Sequence, residues 1–177
     1  NQRPLAVYAG NLSIPYIDWA LIKEGIETLP NVDFLFFGPY KEDSPFIIEL
    51  KQFSNVNFKG VVSANNLQAE YLRADVLLIA YKAEEFADQV SNPHKMMEYL
   101  MSGRVIVATF TREYSEEANR ELLVMASHRN EFVPSLKRVI KDLAYWNNSA
   151  LQGERRAFAR DNSYAKQIER IEEIIGK

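Results

Sequence analysis

The run Ser91-Asn92-Pro93-His94-Lys95-Met96-Met97-Glu98-Tyr99-Leu100 places a helix start, a cation and a carboxylate within a few residues of one another. Asn92 suits an N-cap and Pro93 the first helical position, so a helix opening here presents unpaired amides outward. Such an end attracts phosphate through its free N–H groups and the positive end of the helix dipole. Lys95 stands in the first turn, where the dipole favours acidic side chains, and a cation there anticipates an anion. Met96, Met97, Leu100 and Met101 recur at helical spacing as an apolar stripe, with Lys95, Glu98 and Ser102 expected on another face. At i,i+3 spacing Lys95 and Glu98 also fit an ordinary surface ion pair, and both readings stay open at this point.

The elements that must position this run alternate between strand and helix. Leu5 to Ala9 reads as a short apolar strand closed by Gly10, and Ile17 to Leu29 as a helix that stops before Pro30. Val32 to Phe37 is a buried strand ending at Gly38, Pro45 to Phe53 a short helix, and Val56 to Lys59 a strand ending at Gly60. Asn65 is expected to cap a helix over Leu67 to Ala74, with Gln68 at the capping-box position. Val76 to Ala80 and Val105 to Thr109 are apolar strands on either side of the Asn92 helix, which Gly103 ends. An acidic stretch, Glu84 to Asp88, reads as a solvated lid. Further on, Glu116 to Glu121 looks helical and Leu122 to Ala126 looks like a sixth strand. Phe132, Leu136, Val139, Ile140 and Leu143 mark one longer helix. Leu151 to Arg160 reads as a charged helix whose Arg155, Arg156 and Arg160 face solvent, and Ile168, Ile171, Ile174 and Ile175 mark a last one.

Continuous apolar strands, each followed by a helix, predict a parallel sheet covered on both faces. With right-handed crossovers this is a doubly wound, Rossmann-like α/β domain of about six strands. Ligands of such sheets bind beyond the carboxyl ends of the strands, at the switch point. That places the loops at Gly10-Asn11, Gly60-Val61 and Tyr81, and the Asn92 helix start, on one edge. Neither a Gly-x-Gly-x-x-Gly fingerprint nor a P-loop is present.

Composition narrows the function classes. The chain has 177 residues, a net charge of −3 and 47% hydrophobic residues, which points to one domain and away from bulk nucleic-acid binding. It contains no cysteine, which removes disulfides and thiol chemistry, and its histidines, His94 and His128, are too far apart to suggest a metal site. No signal peptide and no apolar run of ~20 residues is visible, so a cytoplasmic location is the default expectation. The abrupt start, with a strand directly after Pro4, is that of a piece of something longer.

Asn92-Pro93-x-Lys95-x-x-Glu98-Tyr99-Leu100, followed by Ser102-Gly103-Arg104-Val105-Ile106-Val107-Ala108-Thr109, resembles the donor-binding segment of group 1 (family 4) glycosyltransferases of GT-B architecture. Other stretches agree in order: Tyr8-Ala9-Gly10-Asn11-Leu12, Phe36-Phe37-Gly38-Pro39, Asn55 to Gly60, Ala74 to Tyr81 and Ser163-Tyr164. The branch most similar has Asn-Pro-x-Lys in place of the commoner Glu-x7-Glu; here Val90 occupies the first Glu position. The basic pair that many relatives carry after the first strand is replaced by Asn11, Leu12 and Ser13.

The resemblance implies that residues 1–177 form the C-terminal, nucleotide-sugar-binding domain of such an enzyme, without its N-terminal acceptor domain. By resemblance, Gly10, Asn11, Gly60, Val61, Ser91, Asn92, Pro93, Lys95 and Glu98 would contact a UDP- or GDP-sugar. The base would lie against the backbone after Gly60, the ribose on Glu98, and the diphosphate on the Asn92-Pro93 helix start beside Lys95. A carboxylate suits a ribose because it accepts two hydroxyl hydrogen bonds at once. No residue is assigned a catalytic role and none a metal. Neither a metal nor a cofactor other than the donor is implied. The implied reaction of the intact enzyme is hexosyl transfer with retention, to a glycan or lipid-linked acceptor in polysaccharide biosynthesis, with peripheral membrane docking compatible with it. The isolated domain is expected to be inactive. Two alternatives share the fold: a non-catalytic nucleotide-binding or interaction module, and half of a sugar-nucleotide epimerase.

Overall fold

The computed structural model describes residues 3–90, 95–163 and 172. Six parallel strands form one sheet: β1 (Leu5–Ala9), β2 (Asp33–Phe37), β3 (Val56–Gly60), β4 (Val76–Ile79), β5 (Val105–Ala108) and β6 (Val124–Met125). Their spatial order is β3-β2-β1-β4-β5-β6, so the winding reverses between β1 and β4. The strands β4 and β5 are buried along their whole length, and β1 from its second residue, as continuous Val, Leu, Ile and Ala runs require when both faces are covered. The edge strand β3 instead alternates half-buried and exposed residues.

Nine helices accompany the sheet among the described residues: α1 (Trp19–Thr28), α2 (Pro45–Leu50), α3 (Ala64–Arg73), α4 (Ala87–Val90), α5 (Lys95–Ser102), α6 (Ser115–Asn119), α7 (Phe132–Lys141), α8 (Leu143–Trp146) and α9 (Ser149–Asp161). The helix α1 packs against α7, while α3 and α9 pack against α5, giving the two helical layers of the doubly wound fold.

Several local expectations are corrected. The cap of α3 is Ser63, whose hydroxyl accepts from Asn66 N at 3.3 Å, two residues before the expected Asn65. The helix expected through Leu143 breaks at Asp142, whose carboxylate accepts from Tyr145 N and starts α8 instead. The sixth strand shrinks to Val124–Met125 because the Leu122 carbonyl is taken by the Arg155 side chain. Arg155 itself is fully buried, not solvent-facing. The acidic stretch Glu84 to Asp88, expected as a solvated lid, runs into the short helix α4 at Ala87. On α5 the buried face is Met96, Tyr99, Leu100 and Ser102, whereas Met101 is 43% exposed. Ser102 can turn inward because its hydroxyl donates to Tyr99 O at 2.6 Å and accepts from Arg104 N at 3.1 Å. The terminal helix expected around Ile168 to Ile175 lies outside the described residues.

Candidate functional site

The site is built at the point where β1 and β4 part company. The two strands pair only at Ala6–Val76 and Val7–Leu77. Beyond that the Ala9 amide leaves the β1–β4 ladder and donates to the Tyr99 hydroxyl of α5 at 2.9 Å. A helix side chain thus stands in for a strand, and a crevice opens between the strand ends. The far wall is closed by the chain after β1: Ile17 forms an antiparallel bridge with Tyr81, Asp18 N donates to Ala80 O, and Lys82 N donates to Tyr16 O.

Lys95 projects into this crevice from the first described turn of α5. The residue is half-buried, but its Nζ is sealed from solvent and, among the described residues, has no hydrogen-bond partner. It lies 3.8 Å from the centroid of the Tyr8 ring and 5.4 Å from that of Tyr81. Its end presses against Gly10, where a Cβ would sit 2.5 Å from Nζ, so a side chain at position 10 would evict the ammonium. Loss of water lowers the Lys95 pKa from its usual 10.5 to about 7, with the negative charge of Glu98 opposing the shift. The Tyr8 hydroxyl is likewise buried, next to that of Tyr81, and burial holds its pKa well above the ordinary value. An uncompensated ammonium inside a folded domain is unfavourable unless a ligand supplies the missing charge.

The strand-end glycines register the loops around the crevice. Gly10 N donates to Phe37 O at 2.9 Å, and Gly38 N donates to Gly60 O at 2.8 Å. Gly38 lies so close to Gly10 that a Cβ on it would overlap the Gly10 carbonyl. The ends of β1, β2 and β3 are therefore tied into one edge, with Val61 75% exposed just beyond it.

Of the residues predicted from sequence, Gly10 and Lys95 come into direct contact. Gly60 and Val61 lie two strands away, joined to them through Gly38. Asn11 turns back on its own loop, accepting from Ser13 N at 3.0 Å. Glu98 is exposed on α5 and accepts from the Tyr71 hydroxyl at 3.3 Å; it makes no ion pair with Lys95, which the crevice has drawn inward. Tyr71 is kept protonated by burial and by the charge of Glu98, both raising its pKa. Ser91, Asn92, Pro93 and the neighbouring His94 lie outside the described residues.

Sequence reasoning passed over the tyrosines. Tyr8, Tyr81 and Tyr99 converge on the crevice, and a signal was present for Tyr8, which puts a hydroxyl into the apolar run of β1, and for Tyr81, which directly follows the apolar run of β4. It also missed Asp18. That carboxylate is buried, caps α1 by accepting from Leu21 N at 2.9 Å, and receives Arg129 Nε and Nη2 at 2.6 and 3.0 Å. This pair borders a separate cavity of about 470 Å³ beyond β4 to β6, lined also by Tyr81, Thr109, Phe110 and Glu84. None of the predicted site residues among those described lines it. Among the described residues no three His, Asp or Glu side chains are placed to hold a metal, and no helix is long and apolar enough to cross a membrane.

No curated protein matches the chain. Solved structures match in fold: sucrose-phosphate synthase from Thermosynechococcus elongatus at 14% identity and TM-score 0.72, covering 98% of this chain and 45% of that one. WaaG, a glycosyltransferase involved in lipopolysaccharide biosynthesis, matches at 17% identity and TM-score 0.66, covering 100% and 48%. Anabaena HepE, solved in complex with UDP and glucose, matches at 16% identity and TM-score 0.66, covering 99% and 49%. The chain thus spans less than half the length of each of these proteins. The family model for glycosyl transferases group 1 matches residues 3–142, and the chain belongs to that family.

Proposed function

We propose that this chain is the donor-binding half of a glycosyltransferase, holding a nucleoside-diphosphate sugar across the carboxyl ends of β1 and β4. The observation that carries this reading is Lys95: a buried ammonium with no partner, at the switch point of a group 1 glycosyl transferase fold. In this reading the diphosphate takes the ammonium, Gly10 lets its backbone approach, and Glu98 accepts the ribose hydroxyls. Free backbone N–H groups of the helix start that follows Asn92 and Pro93 complete the phosphate contacts, and the base lies against Gly60 and Val61. The intact enzyme transfers a hexosyl group with retention of configuration to a glycan or lipid-linked acceptor held by an N-terminal domain. Its rate rests on positioning and on stabilising the charge of the departing diphosphate, without a metal. The isolated chain binds the nucleotide and transfers no sugar, because the acceptor and the exclusion of water come from the other half. HepE was solved with UDP and glucose, which makes UDP the first probe.

Calorimetry with UDP and uridine tests the reading. UDP should bind more tightly than uridine, and Lys95→Ala should erase most of that difference. Glu98→Ala should weaken both ligands by roughly ten- to a hundred-fold, the loss of about 1.5–3 kcal/mol expected for hydrogen bonds to a charged group. Equal affinity of the parent chain for uridine and UDP would falsify the assignment of the anion site.

A further inference from the structure

Among the described residues no hydrogen bond and no ion pair holds the Lys95 Nζ in the crevice. Tyr8 from β1 and Tyr81 from the segment after β4 present their rings to it. Tyr16, ahead of α1, stands edge-on to Tyr81 at 5.0 Å, and Tyr99 and Tyr71 close the side toward α3 with rings 5.1 Å apart. Among these groups only Glu98 carries charge at neutral pH; it is exposed, and the Tyr71 hydroxyl donates to it. Burial keeps Tyr8 and Tyr99 protonated well above their ordinary range and pushes Tyr81 up to about 12. The Tyr8 ring, its centroid 3.8 Å from Nζ, turns its negative face to the ammonium and supplies compensating field at close range.

We propose that Tyr8 is the positioning residue of the anion subsite, its ring holding the Lys95 ammonium in place so that an arriving diphosphate supplies the counter-charge and binds together with a proton. This rests on the donor-site reading above. Free Lys95 gives up its proton at about pH 7. A bound diphosphate stabilises the ammonium and raises that value. Between the two, binding draws one proton from the buffer onto Nζ, and release returns it. Affinity therefore falls as pH rises above about 7, approaching a tenfold loss per pH unit. The ring also fixes where this begins: without it the ammonium loses its compensating field, and the decline starts at lower pH.

The test is UDP titration of the whole chain by calorimetry from about pH 7 to about pH 9, in buffers of different ionisation enthalpy. The parent should take up close to one proton per UDP at the alkaline end, and Lys95→Met should show none. Tyr8→Leu should bind UDP several-fold more weakly with its pH midpoint moved down. Tyr8→Phe, which restores the ring face, should rescue both. UDP binding without proton uptake, or an unchanged midpoint in Tyr8→Leu, overturns the proposal and leaves the donor site standing. No UDP binding by the parent at any pH overturns the donor site itself. Proton uptake by the parent needs no variant, so its absence is decisive even if Tyr8→Leu does not fold.

Discussion

A buried ammonium with no partner costs stability that the fold must supply from elsewhere, and this makes Lys95 measurable without any ligand. Its pKa falls from 10.5 to about 7 on folding, so between those values the unfolded chain holds more protons than the folded one. Stability therefore rises with pH across that window, and the penalty is fully present below about pH 7. Lys95→Met keeps a long side chain in the crevice and removes the charge. At pH 7 it should be more stable than the parent by about 1–3 kcal/mol, on the order of 5 °C in Tm. Its Tm should also lose the parent's climb from pH 7 toward 10. The same variant binds UDP poorly, so stability and ligand affinity move in opposite directions. Melting curves across pH decide the matter: a variant that melts below the parent at every pH would mean that the ammonium is a structural asset, not a waiting ligand contact.

At the level of elements, the edge that carries the site depends on how tightly the ends of β1 and β2 approach. Gly38→Ala inserts a methyl where the Gly10 carbonyl already stands, and the obstruction is backbone, which cannot swing aside. The variant should lose about 2–4 kcal/mol, and the displaced Gly10 loop should weaken UDP binding beyond what the lower Tm explains at temperatures where the variant is still folded. Thermal melting and UDP titration of Gly38→Ala check this; parent-like values in both would separate the glycine contact from the site. Much of this architecture was legible because β1, β4 and β5 are unbroken apolar runs and glycines mark strand ends. The details that escaped are those set by tertiary partners. Met101 fits a helical stripe, yet α9 and the sheet bury Tyr99 and Ser102 instead. Ser63 wins the α3 cap over Asn65 through a hydroxyl that periodicity does not register. Sequence spacing leaves Lys95 open between an anion-facing cation and a surface pair with Glu98, and its burial becomes visible only where β1 and β4 diverge.

Across the whole molecule, the site helix is held from behind. The C-terminal end of α5 receives Arg156, whose guanidinium donates to Ser102 O at 2.9 and 3.3 Å. The residue before it on α9, Arg155, is fully buried, its guanidinium spread over backbone carbonyls from distant parts of the chain. It donates to Leu122 O at 2.9 Å, Gly103 O at 3.0 Å, Trp146 O at 2.7 Å and Glu121 O at 3.3 Å. These carbonyls belong to the turn leaving α5, the approach to β6 and the end of α8. A single side chain therefore closes what the short β6 leaves unpaired. Burial draws the Arg155 pKa down to about 10, so it stays charged at physiological pH, and dispersed carbonyl dipoles stand in for a carboxylate. Methionine has the length to fill the space but no donor, and it would leave those buried carbonyls without partners. Arg155→Met should cost about 2–4 kcal/mol, since each orphaned buried acceptor carries its own desolvation penalty while removal of the buried charge gives part of it back. For a chain of this size that is on the order of 10 °C in Tm. Arg155→Lys should recover only a minor share, because one ammonium cannot reach the four carbonyls that a planar fork spans. A Tm for Arg155→Met within a degree or two of the parent would mean that the carbonyls find other donors and that α9 is held by its apolar contacts alone.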